Sequence, residues 1–133
     1  MSYSNGIQTT YIAAGAAIDT AAVIGRFPAL EHPENGGLTG RIVGVMVQCT
    51  VQLTGAGPSV ISIGDGSDAN KFGTISVADT AANARAVVTF TDGETVDSTN
   101  GSNRIPADTV ITLTSDGGHT AGDGDVYLVV EWS

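Results

Sequence analysis

Few side chains in this sequence are equipped for chemistry, and most of them gather in two acidic groups. In Gly64-Asp65-Gly66-Ser67-Asp68-Ala69-Asn70, the residues Asp65, Asp68 and Asn70 bring hard oxygen ligands close together. Asp116, Asp123 and Asp125 form the second group, near His119. Calcium takes about six to eight such oxygens, and adjacent loops of a β-sandwich can pool them. The spacing Asp65-x-x-Asp68-x-Asn70 lacks the alternating acidic positions and the distal Glu of a helix–loop–helix calcium site. Asp and Asn also cap turns by accepting backbone N–H bonds, and turn capping is the simpler account of these positions. Asp65, Asp68, Asn70, Asp123 and Asp125 therefore stand as calcium candidates, while no metal or cofactor is expected.

Other chemistry is poorly supported. Gly64 to Ala69 matches the outline G-x-G-x-x-A, but a dinucleotide turn must open a helix, and Phe72 to Val77 reads as a strand. Its two carboxylates would also repel phosphate. His32 and His119 are the only histidines, and neither lies in a recognisable nucleophile or metal-pair context. Paired carboxylates for glycoside hydrolysis are set by spatial rather than sequence spacing, yet aromatic platforms for sugar stacking are scarce. Lys71 and Arg104 each follow a polar loop and fit local ion pairs. The chain is expected not to be an enzyme.

The elements that hold these residues are strands. Seven Asn-Gly or Asp-Gly dipeptides, at Asn5, Asn35, Asp65, Asp92, Asn100, Asp116 and Asp123, mark tight turns that tolerate positive φ. Between them run segments rich in Val, Ile and Thr. From Ile42 to Leu53 the pattern alternates strictly, with Val43, Val45, Val47, Cys49, Val51 and Leu53 on one face. The opposite face, Ile42, Gly44, Met46, Gln48, Thr50 and Gln52, starts apolar and ends polar. Near the C-terminus Val126, Leu128, Val130 and Trp132 share a face, which sews this end into a sheet. Val60 to Ile63, Phe72 to Val77, Arg85 to Thr91 and Thr109 to Thr114 supply further strands, the last with Thr109, Ile111 and Leu113 inward. The Ala-rich start reads as two strands, about Thr9 to Ala13 and Ala17 to Phe27, followed by a loop from Pro28 through His32 to Gly37. The fold class expected is all-β, an antiparallel β-sandwich of jelly-roll type, in one domain over 1–133 with an N-terminal arm at Met1 to Gln8.

Bulk properties narrow the partners. With 14 acidic against 5 basic residues the net charge is −9, which disfavours nucleic acid and anionic membranes. The same charge serves solubility, or attraction to a basic protein surface. A 41% hydrophobic content that is only 5% aromatic implies a core of small and β-branched side chains. Cys49 is the only cysteine and falls inside the strongest strand pattern, where an inert buried thiol is expected. No basic, apolar leader opens the sequence, and no run approaches the roughly 20 apolar residues that span a bilayer. Synthesis in a cytoplasm follows as the expectation.

The run Val60-Ile61-Ser62-Ile63-Gly64-Asp65-Gly66-Ser67-Asp68-Ala69-Asn70-Lys71-Phe72-Gly73 resembles one found in small bacteriophage virion proteins. Ile105-Pro106-Ala107-Asp108-Thr109 with its Thr-rich strand, and the Asp123-Gly124-Asp125 turn leading into Val126-Tyr127-Leu128-Val129-Val130-Glu131-Trp132, are similar too. In order, these pieces resemble capsid decoration (cement) proteins and related head-fibre proteins with a jelly-roll domain, from about Leu38 to Ser133. The resemblance implies a β-sandwich that self-associates as a homotrimer and clamps neighbouring major capsid protein subunits on the outside of the shell. A receptor-binding module of a head or tail fibre and a polysaccharide hydrolase are the alternatives. The first needs an exposed aromatic patch and the second two carboxylates facing across a cleft.

Overall fold

The computed structural model describes residues 7–30, 40–55, 57–79, 81, 85–88, 104–105 and 109–132. Nine strands occur among them: β1 (Ile7–Ala16), β2 (Ala21–Leu30), β3 (Gly40–Thr54), β4 (Ser59–Gly64), β5 (Gly73–Val77), β6 (Arg85–Val88), β7 (Arg104–Ile105), β8 (Thr109–Asp116) and β9 (Ala121–Trp132). β4 pairs with β5, β3 with β6, β2 with β8 and β1 with β9, every pair antiparallel. The chain is thus one long ribbon, folded double at the loop between β4 and β5. Rolling that ribbon adds β9 to β3 and β8 to β4. Two sheets result, β1-β9-β3-β6 with β7 attached to β3, and β2-β8-β4-β5. Consecutive strands of the first half alternate between sheets, which makes the sandwich a jelly roll.

The core lies between the two sheets and follows the period-two pattern. Val126, Leu128, Val130 and Trp132 all point inward from β9, and Ile111 and Leu113 from β8. They meet Ile61 and Ile63 of β4 and Ile75 and Val77 of β5, all at most 1% exposed. Phe72, just before β5, donates its N–H to Ile63 O at 2.9 Å and buries its ring at that end. Tyr11 of β1 and Phe27 of β2, with ring centroids 5.5 Å apart, close the side where the two edge strands meet. Burial there raises the Tyr11 hydroxyl above the usual tyrosine range. Cys49 is buried and forms no disulfide.

Four details depart from the alternation. β3 and β9 shift register between Cys49 and Val51 and again between Val51 and Thr54, so Val51 turns outward, 49% exposed, while Leu53 returns to the core. Each bulge adds one residue and reverses the parity that a strict alternation assumes. Ile42 is buried for the same reason, since a shift separates it from Gly44. The second strand starts at Ala21 rather than Ala17, because 17–20 form the turn, with Thr20 N–H donating to Ala17 O and Ile18 fully buried. Pro28 belongs to β2, at a register shift between Phe27 and Leu30. A bulge is where a sheet tolerates a residue without an N–H.

Asp123-Gly124 is not a turn. Both residues are inside β9, paired with Val51 and Cys49. Gly124 is required by close packing, since a Cβ there would lie 2.8 Å from Gln48 O and 3.2 Å from Val47 Cγ1. Asp65-Gly66 does sit in a connection, and Asp116-Gly117 marks the end of β8, where Gly117 has a φ of 67°. The remaining dipeptides, the loop around His32 and residues 89–91 of the Arg85 to Thr91 strand lie outside the described residues. Ile7 and Gln8, read as the end of an arm, pair with Trp132 and Glu131 as the first residues of β1.

Candidate functional site

The loop between β4 and β5 is organised around one carboxylate. Asp65 Oδ1 accepts the N–H groups of Ser67 and Asp68, each at 2.8 Å, and the Ser67 hydroxyl at 3.0 Å. Lys71 Nζ donates to Asp65 Oδ2 at 2.9 Å. Asp65 N–H donates to Asp68 O, and Asp68 Oδ1 accepts the Asn70 N–H at 3.2 Å. Thr112 of β8 ties the loop down by donating to Asp65 O at 3.1 Å. Sheet geometry delivers the residues: β4 ends at Gly64, β5 restarts at Gly73, and the ribbon reverses between them. Here Asp65 and Asp68 act as turn caps, as the sequence spacing favours.

Asp123 and Asp125 face outward from the other sheet. Asp125 Oδ1 accepts the Gly15 N–H at 2.8 Å, satisfying a donor freed by the bulge between Ala13 and Ala16 in β1. Register places Gly64 beside Thr112 and Ile61 beside Ser115, so the Asp65 loop and the β8–β9 turn occupy opposite ends of the sandwich. The two acidic groups do not pool. Among the described residues no cluster of three metal-ligating side chains forms. Asp116 is itself a cap, its Oδ1 accepting Val60 N–H and Gly118 N–H at 2.9 Å each.

Lys71 first, then the Ser67 and Asp68 donors, hold the Asp65 carboxyl well below the usual carboxylate range. A depressed folded-state pKa contributes stability that is present above the unfolded value, about 3.9, and is lost as pH falls further. Asp65→Asn is therefore expected to cost about 1–2 kcal/mol at neutral pH, allowing for the partial exposure of Lys71. The difference from wild type should shrink below pH about 4, and calcium chelation should move neither protein. Denaturant titration across pH, with and without chelator, reads all three.

A second polar group, unseen in the sequence, closes the opposite end. His119 is 2% exposed; its Nδ1 lies 2.7 Å from Ser59 Oγ, and its Nε2 lies 2.9 Å from Asp79 Oδ1. A carboxylate only accepts, so Nε2 carries the proton and the Ser59 hydroxyl donates to Nδ1 in the neutral ring. Ser59 Oγ also accepts the His119 N–H at 3.1 Å. It lies 3.3 Å from Ile18 O, which accepts the buried Ser115 hydroxyl at 2.6 Å. Serine, histidine and aspartate in a chain are the parts of a nucleophilic triad, but here the serine is 0% exposed and stands on Nδ1. In the hydrolytic arrangement the serine is reachable and bonds to Nε2. No short spacing links positions 59, 79 and 119; only the roll of the ribbon joins them.

Two concavities flank these groups. An open cleft of about 530 Å³ is lined by Gly57, Pro58, Ser76, Ala78 and Asp79. A smaller one of about 210 Å³ lies between the Asp65 loop and β2, with Arg26, Thr112 and Thr114 in its wall. Of the two single cations read from sequence, Lys71 is the partner of Asp65; Arg104 begins β7 opposite Arg41.

No family model matches the sequence, and no curated protein shows significant similarity to it. Solved structures with a similar chain path include the capsid asymmetric unit of cyanophage Pam1, at 17% identity over 99% of this chain and 87% of that one, TM-score 0.43. The acidic stable capsid of Helicobacter pylori bacteriophage KHP30 is similar at 12% identity over 97% and 90%, TM-score 0.47. Bacillus endospore appendages, disulfide-linked pili, are similar at 19% identity over 96% and 87%, TM-score 0.40. These likenesses are loose, and the jelly roll rests on strand order and register.

Proposed function

We propose that this chain is a bacteriophage virion structural protein that decorates the capsid and stabilises it by bridging neighbouring major capsid protein subunits. It is made in the host cytoplasm, assembles as a homotrimer and sits on the outer shell surface. The observation that carries the reading is that Asp65, Asp125, Ser59 and His119, four of the side chains best equipped for chemistry, are committed to the scaffold. Asp65 is held by Lys71, Asp125 by the β1 bulge, and Ser59 and His119 are buried in each other's bonds. Such a body has rigidity and a soluble surface, which a clamp needs, and the sequence resemblance points the same way. Clamps that favour the assembled state add by mass action and avidity.

Two measurements test this together. Light scattering should return about 40 kDa, three times the 13.4 kDa chain, with or without chelator. Particles assembled without the chain should release DNA at a lower temperature than complete ones. A monomeric protein whose omission leaves particle heat stability unchanged would sink the proposal.

A further inference from the structure

The two sheets present different outer faces. On the β2-β8-β4-β5 sheet the outward positions are mainly hydroxyls, Ser62 opposite Thr74 and Thr114, and Ser76 opposite Val60, with Val23 at the edge. On the other sheet an apolar row crosses three strands, Ile12, Tyr127 and Met46, in direct register. Ile12 is 53% exposed, and Tyr127 and Met46 are half-buried. Val129 continues the patch, beside Gly44 on β3 and Thr10 on β1. Water solvates the first face well. The second would gain from being covered.

Gly44 is the informative residue. Glycine inside a strand weakens it, so it needs a reason. Gly15, Gly55, Gly73, Gly117 and Gly122 have positive φ, and Gly25, Gly40 and Gly124 are crowded by neighbours. Gly44 follows the register shift after Ile42, a common place for a strand glycine, yet its φ is not positive and a Cβ there would meet nothing within 4 Å among the described residues. The result is a notch in a central strand, walled by Val129 and Met46, and nothing among the described residues fills it. A strand glycine marks a bulge or a site where another backbone or ligand comes close, and the open space at Gly44 leaves room for the second as well as the first.

We infer that the outer face of the β1-β9-β3 sheet is a docking surface for a basic protein partner that seats an apolar knob in the notch at Gly44. Charge selects the occupant. Along β9 the outward residues run Asp123, Asp125, Tyr127, Val129, Glu131, so carboxylates flank the apolar pair at both ends. Arg41 offsets Glu131 at 3.5 Å, but the chain as a whole carries −9. A second copy would face like charge, whereas Lys or Arg around an apolar ridge complements the rim. Size agrees. From strand and residue spacings the patch covers on the order of 200–300 Å², far below the roughly 800 Å² per partner of a stable pair. It suits a contact repeated across an array, and rests on the virion reading for the identity of that array.

The test uses shells of the encoding virus prepared without this chain, and three variants of the full protein. Gly44→Val is expected to melt a few degrees above wild type, because valine suits a strand and has room. Gly44→Val and Met46→Lys should each lose shell affinity by about ten-fold or more. Thr74→Lys, the same charge change as Met46→Lys on the other sheet, should bind as wild type. Wild-type binding should weaken as salt rises. Equal shell binding by wild type, Gly44→Val and Met46→Lys overturns the inference while the virion reading stands. Failure of wild type to bind shells overturns both. Lower melting of Gly44→Val makes the glycine a folding requirement and overturns the seat. A concentration-dependent dimer lost in Met46→Lys replaces the basic partner by a second copy.

Discussion

Trp132→Ala is expected to lower the unfolding free energy by about 3–5 kcal/mol, the cost of removing a large buried ring that leaves a cavity. Typical domains hold only about 5–15 kcal/mol, so most of the reserve would go. Trp132 is 1% exposed and is the residue at which three strands are joined. Its backbone pairs with Ile7 of β1 and Gly40 of β3, and Gly40 pairs in turn with Ile105 of β7. The indole N–H donates to Thr9 Oγ1 at 3.2 Å, so the ring bonds to β1 as well as packing. Gly40 lies beneath it: a Cβ there would be 2.9 Å from Cζ3 and 3.1 Å from Val130 Cγ1. The two positions are therefore coupled. Gly40→Ala should be costly in the wild type and much less so once the ring is gone. Chemical denaturation followed by far-ultraviolet circular dichroism, over the two single variants and the double, measures that coupling. Additive costs would show that the ring and the glycine do not constrain each other.

The strand content was legible because β8 and β9 place one face in the core along most of their length, so Ile111, Leu113 and the Val126 to Trp132 series could be read by parity. Parity fails wherever a bulge inserts a residue, and nothing local in the Cys49-Thr50-Val51 run announces one. Alternation places Val51 in the core, yet it lies outside because of its partner strand, not its neighbours. Asp123-Gly124 misled for a related reason: the dipeptide has turn chemistry, yet here its glycine answers to packing against Gln48 and Val47. The Asp65 cap was readable, since Asp65, Ser67, Asp68 and Lys71 are local in sequence and bond as their spacing allows. The Ser59–His119–Asp79 chain spans 60 and 40 positions. Only the roll of the ribbon makes it, and sequence patterning carries no trace of it.

That buried chain carries the second large effect, and the ranking of its three members is the expected result. Ser59→Ala should cost most, about 2–4 kcal/mol, because it strands groups that water does not reach. Without the hydroxyl, the His119 N–H and Nδ1 both lose their partner while the ring stays 0% exposed. Ile18 O keeps Ser115, so that carbonyl is not orphaned. His119→Ala should cost a similar amount by a different route, since the ring fills the space over Gly57, where a Cβ would collide with Nε2. Asp79→Ala should cost least, about 1 kcal/mol or below, because its side chain is 68% exposed and lines the open cleft. Water entering from that cleft can replace the carboxylate at Nε2. A working triad ranks its members otherwise, by their effect on turnover, and its serine reacts with a fluorophosphonate. Here Ser59 is enclosed, so the native protein should resist that reagent and become labelled only on unfolding. Denaturant midpoints of the three variants, read by Trp132 emission, together with labelling of the native wild type, decide the matter. Rapid native labelling, or an Asp79 variant as damaged as the Ser59 one, would show a reachable, catalytically arranged serine instead of a structural pin.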